Sequence, residues 1–325
     1  MKVSVIIPIY GVEHFIEHCV DSLMRQTIDD VEFIFVDDAT KDSSIEILQT
    51  VVKRYPHRSN QIRLIRHIRN KGLPSSRNSG LSIAKGEYIF HCDGDDFADP
   101  DMLLDLYEKA KKEDADIVWC DWFLTLDNKE RYMKQPQFAT AMEALKAMLC
   151  GAMKYNVWNK LVRHSLYTEN HINFPDNNGM GEDMTMMMLF AVAKKVTYLN
   201  RAYYHYVKTN NNSFCQTYSD KHLVELYHNV MRIENYINTH FSCSLDRELH
   251  FFKLEAKFPF LISDGSRGQY QLWKEWFSES NSYIMQNTWI STRSRILQWC
   301  ASKNLFGLVW LYYQVVMRFI YNVLY

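Results

Sequence analysis

Residues 91–96 read HCDGDD and follow directly on the strand-like run EYIF of residues 87–90. Three aspartates within four positions repel one another, so a strand end this acidic points to a bound cation. The surrounding sequence shows which kind of sheet the strand joins. VSVIIPI (3–9) and VEFIFVDD (31–38) are β-branched and aromatic runs of the sort a parallel strand buried on both faces requires. IRLIRH (62–67) is a short third strand, and EYIFHCD (87–93) the fourth. Between them, EHFIEHCVDSLMRQ (13–26) sets Phe15, Cys19 and Leu23, and Ile16, Val20 and Met24, at helical spacing. SSIEILQTVVKRY (43–55) is a second helix, with Ser43 and Glu46 spaced as a capping box. PSSRNSGLSIAKG (74–86) opens on Pro74 and stops at Gly86. This alternation predicts an α/β fold, an open and mostly parallel sheet with helices on both faces. Ligands of such sheets sit beyond the carboxyl ends of the strands. Both Asp37–Asp38 and Asp93–Asp96 fall at such ends.

Further on, Asp99 and Pro100 are expected to open a helix to about Glu113, and DIVWCDWF (116–123) reads as another strand. The pattern is mixed to about residue 215 and helical from Lys221, where Leu223, Leu226, Tyr227, Val230, Met231 and Ile233 form one apolar stripe. The expected organisation is a catalytic part over 1–215, its first hundred residues binding the ligand and 101–215 forming the other half. A helical C-terminal region follows over 216–325.

Composition narrows the function. The 325 residues are 47% hydrophobic and 23% charged, which suits a folded protein with a substantial core. A formal charge of −1 argues against a nucleic-acid partner held by bulk electrostatics. Seven cysteines with no CxxC pair read as free thiols in a reducing, cytoplasmic setting. The start MKVSVIIPIYGVEHF is interrupted by Pro8 and reads as a strand, not a signal peptide. A calcium EF-hand beginning at Asp93 fails, because Ala98 and Leu104 stand where Gly and Glu are needed. No P-loop and no GxGxxG is present. A hard divalent ion, Mg²⁺ or Mn²⁺, with open positions for substrate phosphates fits the acidic turns.

Several stretches together resemble the family 2 glycosyltransferases. IPIYG (7–11) is similar to that family's Pro-x-Tyr-Asn strand end, with Gly11 for Asn; SLMRQT (22–27) is similar to Ser-Leu-x-x-Gln-Thr. FVDDATKDSS (35–44) resembles Val-Asp-Asp-Gly-Ser-x-Asp, with Ala39 and Thr40 for Gly and Ser. NKGLPSSRNSG (70–80) resembles Asn-x-Gly-x-x-x-Ala-Arg-Asn-x-Gly, with Ser76 for Ala. GEYIFHCDGDD (86–96) resembles Gly-x-Tyr-Ile-x-Phe-Leu-Asp-x-Asp-Asp, with His91 and Cys92 for Phe and Leu. WNKL (158–161) and GED (181–183) are further likenesses.

The resemblance implies a GT-A fold and inverting transfer from a nucleotide-sugar donor, a UDP-sugar before others, to a glycan or lipid-linked glycan of cell-surface polysaccharide. It implies that Asp38 meets the base near Pro8, Tyr10 and Glu13, and that Asp37 orients its loop or pairs with Arg77. Asp93, with Gly94 beside it, would approach the ribose and the metal, and Asp95 would ligate the Mn²⁺ or Mg²⁺. Asp183 would be the catalytic base with Glu182 in support; a helix N-terminus also favours such a pair through its dipole. Trp158, Asn159 and Lys160 would meet the acceptor. Where relatives carry a loop Arg over the diphosphate, YYHYVKTNNNS (203–213) offers His205 and Lys208. The competing reading is a nucleotide-sugar-binding scaffold without turnover.

After Glu279 the chain has no acidic residue, only Arg293, Arg295, Lys303 and Arg318 among apolar and aromatic side chains. Such a tail suits peripheral contact with a membrane surface, or packing on the protein itself or on a second subunit in a homodimer.

Overall fold

The computed structural model describes residues 1–127, 129–208, 219–263 and 265–324, with side chains through residue 318. The sheet is built around β1 (Val3–Ile9), in which Val3, Val5, Ile6, Ile7 and Ile9 are wholly buried. Each such side chain is worth about 1.5–3 kcal/mol relative to exposure. β1 pairs in parallel with β2 (Val31–Asp37), from Val3 opposite Val31 to Ile9 opposite Asp37. Beyond β2 lies β3 (Ile62–Arg66), also parallel. The other edge of β1 takes β4 (Tyr88–His91), with Ile6 opposite His91. The order then runs on through β8 (Lys160–Arg163), β6 (Ile117–Leu126), β9 (Val196–Val207) and β5 (Phe97–Ala98), and β7 (Lys129–Met133) pairs with β6. β8 is antiparallel to both neighbours, while β9 is parallel to β6.

Helices α1 (Ile16–Met24), α2 (Ser44–Val52), α3 (Leu73–Ile83), α4 (Met102–Glu113), α5 (Ala141–Leu149), α6 (His164–Glu169) and α7 (Thr185–Val192) alternate with the strands. The chain leaves β1 toward β2 and β3 on one side and returns to its other side at β4. That reversal of order is where open sheets of this kind bind ligands. The register brings the ends of β2 and β4 to the same carboxyl edge as the end of β1, so the two acidic clusters lie at one edge.

Three local expectations are corrected. Residues 97–98 are not the approach to a helix at Asp99. They form β5, antiparallel to β9, and α4 starts at Met102. The cause is Asp96, whose buried carboxylate accepts the Tyr204 hydroxyl at 2.7 Å and the Val207 amide at 2.8 Å and so draws the chain onto β9. The capping box of Ser43 and Glu46 is absent. Ser43 sits at φ −79°, ψ 9° with no side-chain cap bond, and Asp42 accepts from the Ser44 amide (3.2 Å) and hydroxyl (2.7 Å) instead. The buried stripe of α8 (Asp220–Phe241) is Leu226, Val230, Ile233 and Ile237, with Tyr227 exposed and the polar Glu225 and Asn229 buried.

Contacts divide the chain into two units, residues 1–143 with 155–233, and residues 144–154 with 234–325. The boundary expected near 215 lies outside the described residues. The second unit is a helical C-terminal extension of α9 (Asp246–Lys257), α10 (Arg267–Glu275), α11 (Thr292–Ser302) and α12 (Phe306–Tyr312), continued by a π-helical stretch, Tyr313–Leu324. Its core includes Leu249, Phe252, Phe260, Leu261, Trp273, Leu297 and Ala301. Among the described residues no helix is long and apolar enough to cross a membrane.

Candidate active site at the carboxyl edge of the sheet

At the end of β1, Gly11 takes φ +68°, a left-handed conformation that Gly adopts freely and Asn tolerates. Its amide donates to Thr40 Oγ1 (2.9 Å), and the Glu13 amide donates to Asp42 (3.0 Å). Glu13 in turn accepts from the Ser43 amide at 3.0 Å. The loops after β1 and β2 are thereby laced together, leaving Tyr10 exposed and Pro8 half-buried. Burial works against the Asp42 carboxylate, but hydrogen bonds from Ser44, Thr40 and Glu13 hold it below its usual range.

The pair at the end of β2 builds loops. Asp37 accepts from the Thr40 amide at 2.9 Å, so it orients its loop, and Arg77 pairs elsewhere. Asp38 is buried, with one oxygen accepting the Lys71 amide (2.8 Å) and meeting His67 Nδ1 (2.7 Å), and the other accepting the Gly72 amide (2.8 Å). His67 Nε2 lies 2.8 Å from Ser79 Oγ, which joins the ends of β2 and β3 to α3.

The turn after β4 is different. Gly94 packs so closely that a Cβ there would sit 3.0 Å from the Pro8 carbonyl oxygen. Asp93 and Asp95 are half-buried, while Asp96 is almost wholly buried. Burial first, then the charges of Asp95 and Asp93, push the Asp96 carboxyl well above its usual range. Beneath the turn lies Arg77, 1% exposed. It reaches that depth because α3 approaches β1 at Gly80, where a Cβ would lie 2.4 Å from Ile6 Cγ2. Arg77 Nη2 donates to Asp93 Oδ1 at 2.9 Å and lies 3.5 Å from Glu182 Oε1. Its Nε and Nη1 are buried without hydrogen-bond partners, and its guanidinium lies over the Phe174 ring. Burial opposes the charge of Arg77, but Asp93, Glu182 and Asp183 more than offset it.

Glu182 and Asp183 occupy a single 3-10 turn after Gly181 (φ +84°) and before α7. Burial and the neighbouring Asp183 push Glu182 up to about 8, against the pull of Arg77. Burial also raises Asp183, to about 6, with Arg77 and Lys160 opposing. The approach to the turn is fixed from two sides. Asn78 donates to the Phe174 carbonyl at 2.9 Å and accepts the Phe174 amide at 2.8 Å. Glu225 accepts the Met180 amide (3.0 Å), and Asn229 donates to the carbonyls of Asn178 and Met180 (both 2.9 Å). Asn78 lies in the Arg-Asn-x-Gly stretch directly after Arg77, where the motif itself marks it. Glu225 and Asn229 are polar residues four apart beside an apolar stripe, a pattern that could have marked them.

Trp158, Asn159 and Lys160 are buried. Trp158 stacks on Tyr204 (4.8 Å between centroids) and Tyr206 (5.4 Å). Lys160 Nζ donates to the Asn156 carbonyl (2.7 Å) and to Asn159 Oδ1 (2.8 Å), and burial lowers it to about 7 although Asp183 favours its charge. His205 has both ring nitrogens engaged, Nδ1 with Glu130 at 2.7 Å and Nε2 with Asp99 at 3.3 Å, and lies between Phe97 and Phe123. The exposed Lys208 follows β9 directly, its amide donating to the Thr125 carbonyl.

Among the described residues no group of three or more His, Cys, Asp or Glu side chains converges as a self-sufficient metal site. The turn nevertheless offers only hard oxygen donors. Burial first, and then the charges of Asp95 and Asp93, hold its third carboxyl away from the ionised state. Asp93 and Asp95 are the residues that would hold a divalent ion here.

Comparison with known proteins identifies the family and the fold. Residues 4–186 match the Glycosyl transferase family 2 model. The chain is 32% identical to the uncharacterized glycosyltransferase EpsJ of Bacillus subtilis over 275 residues, covering 81% of this chain and 77% of that one. It is likewise 32% identical over 226 residues to the poly(ribitol-phosphate) beta-glucosyltransferase of Bacillus spizizenii, covering 67% of this chain and 34% of that longer one. Residues 1–349 of S. aureus TarS, solved in complex with UDP-GlcNAc, superpose with a TM-score of 0.71 at 19% identity, covering 97% of this chain and 92% of that one. That likeness shows the GT-A fold. The chain belongs to glycosyltransferase family 2.

Proposed function

We propose that the protein transfers a sugar from a UDP-sugar to a hydroxyl of a glycan or lipid-linked glycan in cell-surface polysaccharide synthesis, by a single inverting displacement that depends on Mn²⁺ or Mg²⁺. The observation that carries this reading is Arg77, one buried cation within reach of both Asp93 and Glu182, residues 89 positions apart (182 − 93). The two acidic motifs thus belong to one site. The TarS complex with UDP-GlcNAc supports the uridine donor, and the name of the B. spizizenii relative, a poly(ribitol-phosphate) beta-glucosyltransferase, supports a polymer as acceptor.

In this reading the base and ribose occupy the edge formed by Pro8, Tyr10, Glu13 and the Asp38 loop. Asp93 and Asp95 would hold the divalent ion, which would supply charge stabilisation to the leaving diphosphate. Asp183 takes the proton from the acceptor hydroxyl as its oxygen attacks the anomeric carbon opposite the leaving group. Glu182, held protonated by burial, positions Arg77 and the acceptor. Lys160, buried behind Asp183, favours the ionised base, and the Asn159 side chain holds Lys160. Trp158 backs the acceptor side, and Lys208 is placed to meet the diphosphate. All six described cysteines are free and five are buried, which suits a reducing compartment such as the cytoplasm.

The test separates the two carboxylate roles. Asp183→Asn retains UDP affinity and loses roughly 10²–10⁴-fold in turnover, the usual scale of general-base catalysis. Asp95→Ala, or exhaustive chelation of the wild type, abolishes transfer and weakens UDP binding. Turnover in the chelated wild type at the untreated rate sinks the metal reading. Wild-type turnover in Asp183→Asn sinks the base assignment.

A further inference from the structure

We propose that the outer face of α11 and α12 is a docking surface for an anionic lipid bilayer. Exposed apolar side chains concentrate there. Of the seventeen large hydrophobic residues exposed across the described chain, nine lie between Met285 and Val315. They form continuous faces. On α11, Ile296 (50% exposed) and Trp299 (42%) are one turn apart; on α12, Leu308 (55%) and Leu311 (51%) are likewise, and Val315 (47%) continues the line. Three of the chain's eight tryptophans, Trp289, Trp299 and Trp310, are exposed, all within this stretch. Amphipathic indoles of this kind favour the boundary between headgroups and acyl chains.

Charge selects the occupant. From Ser280 to the last residue the chain carries Arg293, Arg295, Lys303 and Arg318 and no acidic residue, within a protein of net charge −1. Two copies of this stretch brought together would set like charges against each other, whereas an anionic leaflet complements them. A pocket of 390 Å³ in the same unit, lined by Arg267, Tyr270, Asn304, Phe306 and Trp310, offers one cation and one amide among aromatic rings, a setting for a single headgroup phosphate. No helix here is apolar enough to span, so the contact lies in the plane of the interface.

The full chain is mixed with sucrose-loaded vesicles of equimolar phosphatidylglycerol and phosphatidylcholine, or of phosphatidylcholine alone, and sedimented. The expected result is pelleting with the anionic vesicles only, with salt weakening it in part because the apolar contribution is not screened. Leu308→Glu with Leu311→Glu, both exposed, leaves the protein in the supernatant without lowering its melting temperature. Arg293→Glu with Lys303→Glu weakens partition on the order of tenfold or more. A full chain that stays in the supernatant with anionic vesicles at low salt overturns the proposal. So does undiminished pelleting of the Leu308→Glu/Leu311→Glu protein. If light scattering instead finds a dimer that this double variant dissolves while vesicle binding is absent, the face belongs to a second copy and the proposal fails.

Discussion

The ends of β2 and β4 carry look-alike acidic clusters at the same edge of the sheet, yet they do opposite work. At β2, Asp37 and Asp38 are surrounded by backbone amides three to thirty-four positions away, from Thr40, Lys71 and Gly72. Their charge is consumed in shaping loops. At β4 the carboxylates face one another, Tyr204 and Val207 of β9, and a guanidinium with two unpartnered nitrogens. Amide dipoles satisfy a carboxylate locally and leave nothing over. At β4 the carboxylates crowd one another around a single buried cation, the arrangement on which the proposed ion site rests. A carboxylate's role is therefore set by what supplies its hydrogen bonds, not by its place at a strand end.

The largest test of this contrast is Arg77→Ala. Removing one partner of a buried ion pair costs about 3–5 kcal/mol. The lower figure, about 3 kcal/mol, is expected here, because Asp93 keeps 26% of its side-chain surface and Glu182, already raised to about 8, leaves little unpaired charge behind. Urea unfolding checks it, and Arg77→Lys, with one point charge for two carboxylates, recovers only part. Asp38→Asn comes next. An amide group would turn one of its two accepting edges into a donor against the Gly72 or Lys71 amide, at a cost of about 1–3 kcal/mol. If Asp38→Asn destabilises more than Arg77→Ala, the contrast between the two ends is wrong.

The pH dependence of kcat/KM sharpens the β4 side. As the proposed base, Asp183 would act when ionised, and burial raises it to about 6. Activity therefore falls as pH drops through about 6, roughly tenfold per unit below it. The limb should disappear in the residual activity of Asp183→Asn; a limb that persists there belongs to another group. The smallest effect is expected at the β2 loop. Ala39 sits at φ +57°, where an L-residue pays about 1–2 kcal/mol and Gly does not. Glycine's extra freedom when unfolded offsets part of this. Ala39→Gly should then stabilise by up to about 1 kcal/mol, raising Tm by about 2–4 °C. A fall in Tm would mean the loop is not strained there.

The strands β1 to β4, their parallel order and the two acidic edges were legible because buried parallel strands are unbroken apolar runs and motif spacing is local. The two-residue β5 was not, since its pairing with β9 depends on the Asp96 carboxylate finding Tyr204, 108 positions on. The pairing of Arg77 was also out of reach. Asp37, Asp93 and Glu182 are equally good partners in one dimension, and only the close approach of α3 to β1 at Gly80 selects the last two. Nor could the chain show that His205 is already engaged on both nitrogens, or that Glu225 and Asn229 of α8 hold the Met180 backbone. The sequence by itself determined the family, the sheet and the residue types at its edge, because these follow from periodicity and motif order. Tertiary structure alone decided which carboxylates are spent on loops, which share the buried arginine, and which apolar residues of the tail face outward. Burial and hydrogen-bond supply are properties of neighbours that the chain brings together only when folded.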